Sequence, residues 1–203
     1  MIPDYNRIAP YYDKLARLVF GDRLERAQKT HLNMIDANSS VLIVGGGTGA
    51  ILEYLEERNI RLDVDFVELS SGMIEEARNR NYKLVRPTYY QMDIMNFKGS
   101  NYDYILINFF FDQYNFQEAK NILNRLEIAL SEDGAILFVD FIRSDKLVDK
   151  ILLRLMYLFF HFSANLNKVE LIEYNDLFSG SNLRSIKSTA IGSNIKAEVY
   201  LRL

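Results

Sequence analysis

The chain contains no cysteine, which excludes disulfide cross-links and thiolate chemistry. It has only two histidines, His31 and His161, too far apart in sequence to suggest a histidine-based metal site, and no metal is expected. Basic charge is not in excess: 24 Lys and Arg stand against 27 Asp and Glu, for a net charge of −3. Nucleic-acid binding normally needs a broad positive field, so DNA and RNA are not expected partners. No apolar run reaches the ~20 residues that a bilayer-crossing helix requires. The opening stretch, MIPDYNRIAPYYD, is polar and aromatic where a signal peptide would carry a basic patch and an apolar core, so the expected location is the cytoplasm. Repeats, low-complexity tracts and linkers are also missing. With 203 residues and 49% apolar content, one core is expected, as a single domain over 1–203.

What is present centres on VLIVGGGTG, residues 41–49. Four consecutive apolar residues, three of them β-branched, are too few for a helix and read as a strand buried on both faces. Gly45, Gly47 and Gly49 let the backbone turn sharply and approach a ligand, and the helical pattern from Ala50 would point its free N–H groups at that ligand. Asp63 to Glu68 reads as a second strand ending in an acid. Glu68 falls about 20 residues past the loop, where such folds place the carboxylate that accepts ribose hydroxyls. The competing reading makes Glu68 an acid near the start of the next helix, for which Ser71 is the expected cap.

The remaining elements follow in order. Helical patterns run from Asp13 through Phe20 and from Asp22 to Ile35, with the segment before Pro10 extended. Tyr5, Tyr11 and Tyr12 could form a flap over a ligand or pack against the sheet, since tyrosine serves both uses. Pro87 to Gln91 reads as a third strand, and Asp93 just past its end lies on the same sheet edge as Gly45 and Glu68. Tyr102 to Ile107 is a fourth strand, ending at Asn108 and three phenylalanines that suggest an apolar pocket, although core packing would account for two of them. A helix from Phe116 to Leu130 turns at Asp133-Gly134 into a fifth strand, Ala135 to Phe141. Leu147 to Phe162 is apolar nearly all round. It must be covered by protein, a lipophilic ligand, a second subunit or a membrane surface, so peripheral membrane contact and a monomer or a homodimer both stay open. Asn182 to Ile191 and Ile195 to Leu203 form a hairpin, the last strand having one buried and one wet face.

Gly45, Gly47 and Ala50 also satisfy the G-x-G-x-x-A dinucleotide fingerprint, which would suit an NAD(P)-dependent reductase. The chain is short for a second substrate domain, Asp93 adds an acid at the adenine end, and the sheet closes with an antiparallel hairpin; all three argue against that reading.

Taken together, VLIVGGGTG, VELSSGM, QMDI, YDYILINFFFD and LSEDGAILFVDF resemble, in order, the motifs of class I S-adenosylmethionine-dependent methyltransferases. YNRIAPYYDKLARLVFG is similar to the opening of the ubiquinone/menaquinone-biosynthesis and small-molecule branch. The resemblance implies an α/β, Rossmann-like, seven-stranded, mostly parallel sheet of order 3-2-1-4-5-7-6, its last strand antiparallel, with helices on both faces. It also implies an N-terminal helical flap over 1–36 and a helical lid insertion over 147–178. S-adenosyl-L-methionine would be the cofactor. Gly45, Gly46, Gly47, Thr48 and Gly49 would pass beneath its methionine part, Glu68 would bind the ribose, and Leu69 and Met73 would line the adenosine pocket. Asp93 would bind the adenine amine with Ile94 against the ring. Asn108 and Phe109 would sit near the sulfonium, with Tyr5, Tyr11 or Tyr12 closing over it. A sulfonium cation is favoured by carbonyl oxygens and aromatic faces, whatever the family.

Base-modifying relatives carry prolines after the fourth-strand Asn or Asp, where this chain has Phe-Phe-Phe. Asp112 and Asp140 could imitate the acids of metal-dependent relatives, but Asp140 lies inside VDF and reads as structural. The expected reaction is methyl transfer to a small, apolar or aromatic acceptor, with Asp112 and His161 as candidate bases. A non-catalytic cofactor-binding scaffold is the alternative.

Overall fold

The computed structural model describes residues 6, 8–144, 146 and 172–203. The apolar helix expected over 147–162 lies outside these residues, as do His161, Tyr5 and the lid as far as residue 171.

Seven strands form one sheet: β1 (Ser40–Val44), β2 (Leu62–Glu68), β3 (Val85–Gln91), β4 (Tyr102–Asn108), β5 (Leu130–Phe141), β6 (Leu183–Ile191) and β7 (Ile195–Arg202), in the order β3-β2-β1-β4-β5-β7-β6. β1 pairs in parallel with β2 and β4, and β7 pairs antiparallel with both β5 and β6. This is the topology implied by the motif order. The continuous apolar run of β1 divides between two cores because successive side chains point to opposite faces. Leu42 and Val44 join Ile105, Ile107 and Phe138 on one side, while Val41 and Ile43 join Phe66, Leu106 and Leu137 on the other. The first side is covered by α5 (Phe116–Ala129) and a short α6 (Tyr174–Phe178), the second by α3 (Ala50–Glu56) and α4 (Ser71–Arg78). Two further helices, α1 (Ala9–Phe20) and α2 (Arg23–Lys29), precede the sheet.

Several elements differ locally from the sequence reading. α1 begins at Ala9, with Pro10 inside its first turn. A proline there loses no helical hydrogen bond, and its fixed φ already suits the helix. α2 stops at Lys29 because His31 adopts a positive φ of 71°; a single 3-10 turn, Leu32–Met34, follows. Ser70 rather than Ser71 caps α4, its hydroxyl accepting from Met73 N. Helix α5 starts with the Asn115/Glu118 capping box and passes directly into β5, where the register jumps from Leu130 to Ala135 and leaves Asp133-Gly134 in the irregularity. The outer face of β7 is not wet. Glu198 and Tyr200 are buried there, with Phe178 stacked 3.8 Å from Tyr200 and the Glu198 carboxylate held by Tyr200 and Lys196. The wet strand is β6, exposed from Arg184 to Ala190. Its charged side chains and its irregular register near Ile186 protect a free sheet edge from pairing with another chain.

Candidate active site

The carboxyl ends of β1, β2, β3 and β4 lie side by side, since Val44 pairs with Val67 and Ile107, and Glu68 with Gln91. Ligands of open α/β sheets bind at such an edge. The loop after β1 meets it with Gly45 at φ 62° and Gly47 at φ 57°, a region that side chains larger than hydrogen seldom enter. At Gly45 a Cβ would stand 2.4 Å from the Phe110 ring. At Gly47 it would meet nothing within 4 Å among the described residues, which leave space beside the loop. Gly49, also at positive φ, leads straight into α3.

Glu68 ends β2 and turns back to this loop. Its Oε2 accepts from Gly47 N at 3.0 Å and its Oε1 from Ser70 N at 2.9 Å. Burial pushes its pKa up from the ordinary value, and the Ser70, Gly47 and Leu69 N–H groups pull the other way by stabilising the charged form. Asp93 follows β3 and caps a 3-10 turn, accepting from Met95 N at 2.8 Å. Next to these acids Leu69 keeps 37% of its surface exposed, while Met73 and Ile94 are buried.

β4 ends in strain. Phe109 takes a φ of 51°, which is costly for an aromatic residue. The turn sends the three phenylalanines in different directions. Phe109 packs on Phe141, 4.8 Å between ring centres; Phe110 covers Gly45 and contacts Tyr114; Phe111 is fully buried near Phe138. Packing therefore occupies all three. Asp140, fully buried, holds the turn by accepting from Phe111 N at 3.1 Å and Phe141 N at 2.8 Å. Asp112, 8% exposed, lies within Coulombic reach of Asp140, but its Oδ1 has no hydrogen-bond partner among the described residues. Burial, with each carboxylate opposing the other's charge, raises the Asp112 pKa well above the usual range. Among the described residues no cluster of metal-ligating side chains occurs.

The N-terminal segment closes the arrangement. The Asn6 side-chain oxygen accepts from Ser70 Oγ, Ser71 Oγ and Gly72 N. Asp13 accepts from Thr48 Oγ1 at 2.7 Å and pairs with Arg80, which also binds the Thr48 carbonyl and Glu53. Pinned on both sides of Glu68, α1 puts Tyr12 in the fields of Asp112, Asp13 and Glu68, and burial and then these charges hold its hydroxyl protonated. Tyr11, 62% exposed, points elsewhere.

Of the expected site residues, the structure brings Gly45, Gly46, Gly47, Glu68, Leu69, Asp93, Asn108, Asp112 and Tyr12 to one sheet edge. Thr48 is turned to α1 by Asp13, and Phe109 is turned to Phe141. Tyr114 was not anticipated. Burial and then the charges of Asp93 and Glu68 raise its pKa, which places it beside both. Its position just before the Asn115 cap was the available signal, obscured by the phenylalanine run. The Asp13–Arg80 link spans 67 residues and left no local sign in the sequence.

The sheet order, the glycine loop and the acid ending β2 are the features found together at nucleotide-type cofactor sites of open α/β sheets. Residues 42–136 match the family model for a methyltransferase domain. A malonyl-[acyl-carrier protein] O-methyltransferase from Acetivibrio thermocellus is 28% identical over 142 residues, 68% of this chain and 47% of that protein. The chain thus spans about half the length of this curated relative. Two solved structures share the fold. The Burkholderia thailandensis 1,6-didemethyltoxoflavin-N1-methyltransferase, with its acceptor and S-adenosylhomocysteine bound, has a TM-score of 0.67 at 15% identity, over 97% of this chain and 85% of that one. A chain from the complex of the Haloferax volcanii Trm112 methyltransferase activator with a methyltransferase has a TM-score of 0.74 at 10% identity, over 100% and 99%. The chain thus resembles a methyltransferase domain over residues 42–136 and shares the fold of these methyltransferases along most of its length.

Proposed function

We propose that this protein transfers a methyl group from S-adenosylmethionine to a small acceptor of apolar or aromatic character. The observation that carries the reading is Glu68, a buried carboxylate at the end of β2 bonded to the glycine loop that bends past open space at Gly47. The residues present fit the donor. Gly45 to Gly49 would receive its amino-acid part, Glu68 its ribose hydroxyls and Asp93 its adenine amine, with Leu69, Met73 and Ile94 forming apolar walls. Asn108 and Tyr12 would lie towards the sulfonium, joined by Tyr114, and Phe110 would shape the loop from behind. When bound, the donor supplies a methyl group on a cationic sulfur that leaves readily. What the chain adds is alignment, exclusion of water beneath Tyr12, and a field of acidic side chains that favours a cation. Asp112 would take the proton of a neutral, protic acceptor. The aromatic side chains at this edge, Tyr12, Phe110 and Tyr114, support an apolar acceptor, and the flap role of α1 is supported by its pinning at Asn6 and Asp13. Among the described residues no helix is long and apolar enough to cross a membrane.

Titration calorimetry with S-adenosylhomocysteine tests the donor site, with NAD as the control ligand. At 100 times its dissociation constant the bound product should also stabilise the fold by ~2.7 kcal/mol. Binding of NAD in its place would overturn the assignment. Binding without labelled-methyl transfer to any lipophilic acceptor would favour a scaffold.

A further inference from the structure

Resting on the methyl-donor reading, we propose that Asp112, backed by Asp140, reads the charge of the bound donor: the pair holds a proton when no cation is present and releases it when the sulfonium enters. Asp112 would then favour the cationic donor over its neutral, demethylated product.

The two carboxylates are unequal. Asp140 accepts from two backbone N–H groups, those of Phe111 and Phe141, so its charge is the better accommodated of the two. Asp112 is more than nine-tenths buried, and its Oδ1 meets no donor among the described residues. An ionised carboxylate in that position forfeits its hydration without replacement, a cost usually avoided by keeping the proton. The groups facing it deepen this bias. The charge that acts on Asp112 is Asp140 on β5, and Tyr12 from α1 in turn meets Asp112, Asp13 and Glu68, all acids. Among the described residues no Lys or Arg is named with them.

Asp112 nevertheless belongs to the donor edge. It lies in the turn after β4, in which Phe110 covers Gly45, and Tyr12 is within reach of both Asp112 and Glu68. A cation placed there would supply the missing counter-charge, so the Asp112 O–H bond breaks and its proton leaves to solvent. In the transfer step the acceptor's lone pair forms the new bond to the methyl carbon, and the methyl–sulfur electron pair stays on sulfur. The counter-charge is then gone, and the pair recovers one proton, from a protic acceptor or from water. The same asymmetry would speed loss of the product and retain the donor.

The experiment uses the full chain with S-adenosylmethionine and S-adenosylhomocysteine as probes. Calorimetry in buffers of different ionisation enthalpy counts protons exchanged on binding. The donor is expected to release up to one more proton than the product near neutral pH, and Asp112→Asn should abolish that difference. The variant should also narrow the preference for donor over product by about tenfold, as expected for one charge near another at a partly buried site. Should the variant fold poorly, the wild-type preference measured across pH serves instead. It should rise with pH until the pair is ionised without help and then level off. Equal proton counts for the two ligands, or a preference independent of pH, would overturn the proposal and leave the donor reading intact. If neither ligand binds, both fall.

Discussion

The two ends of the sheet are built on different principles. At the β1–β2–β3 end the site is made by backbone: glycines at positive φ and a carboxylate answered by N–H groups. Beyond β4 it is made by buried side-chain charge, with Asp112, Asp140 and Glu198 inside the protein and Phe109 in a strained turn. The family match ends at residue 136, so it spans the first end and barely enters β5. A donor common to many enzymes needs one backbone solution, whereas the opposite end is free to carry what is particular to this chain.

The contrast can be broken most forcefully at Gly46, where a Cβ would lie 2.1 Å from the ring of fully buried Phe66. Gly46→Ala should cost about 3 kcal/mol, at the upper end for overpacking, and would show as a lower urea midpoint. An unchanged midpoint would mean that the loop is not set by close packing. Next in size, Glu68→Ala should weaken S-adenosylhomocysteine binding about 100-fold through loss of charged hydrogen bonds, with a native far-ultraviolet spectrum.

The other end should answer to pH. Asp140 is raised from 3.8 to about 7, and Asp112 moves the same way. A carboxyl group that holds its proton more tightly when folded stabilises the fold at low pH, and loses that contribution as pH rises between these values. The stability gap between Asp112→Asn and the wild type should therefore move in favour of the variant as pH rises above about 4. Parallel profiles from denaturant titrations would show that the pair is not coupled to folding. The smallest effects are spread over both ends. Asn115→Ala should cost about 1 kcal/mol by removing a capping box, and Arg80→Ala a similar amount with faster loss of bound S-adenosylhomocysteine in stopped-flow measurements. Dissociation unaffected by Arg80→Ala would separate α1 from donor retention.

The same division explains what could be read from sequence. Strand β1, its glycines, Glu68 and the strand order are local patterns repeated in a fixed sequence of motifs, and these the structure bears out. The buried outer face of β7 was not legible. Ile195 to Arg202 alternates as a half-wet strand should, and what dries it is Phe178 on a five-residue helix some twenty positions earlier. The different fates of Phe109, Phe110 and Phe111 depend on one positive φ that no composition rule specifies. Asp140 read as a structural acid, and its two backbone donors fit that reading; that Oδ1 of Asp112 beside it has none among the described residues depends on contacts made across the fold.

The hydrogen bonds from Ser70 to Asn6 and from Thr48 to Asp13 also set an order of events during synthesis. The segment that bears Tyr12 is made before its partners, since its anchor at Ser70 emerges more than sixty residues later and Arg80 later still. Until then Tyr12 has nothing to close upon, and the nascent chain must carry an apolar, tyrosine-bearing helix in the open, where chaperones would be expected to meet it.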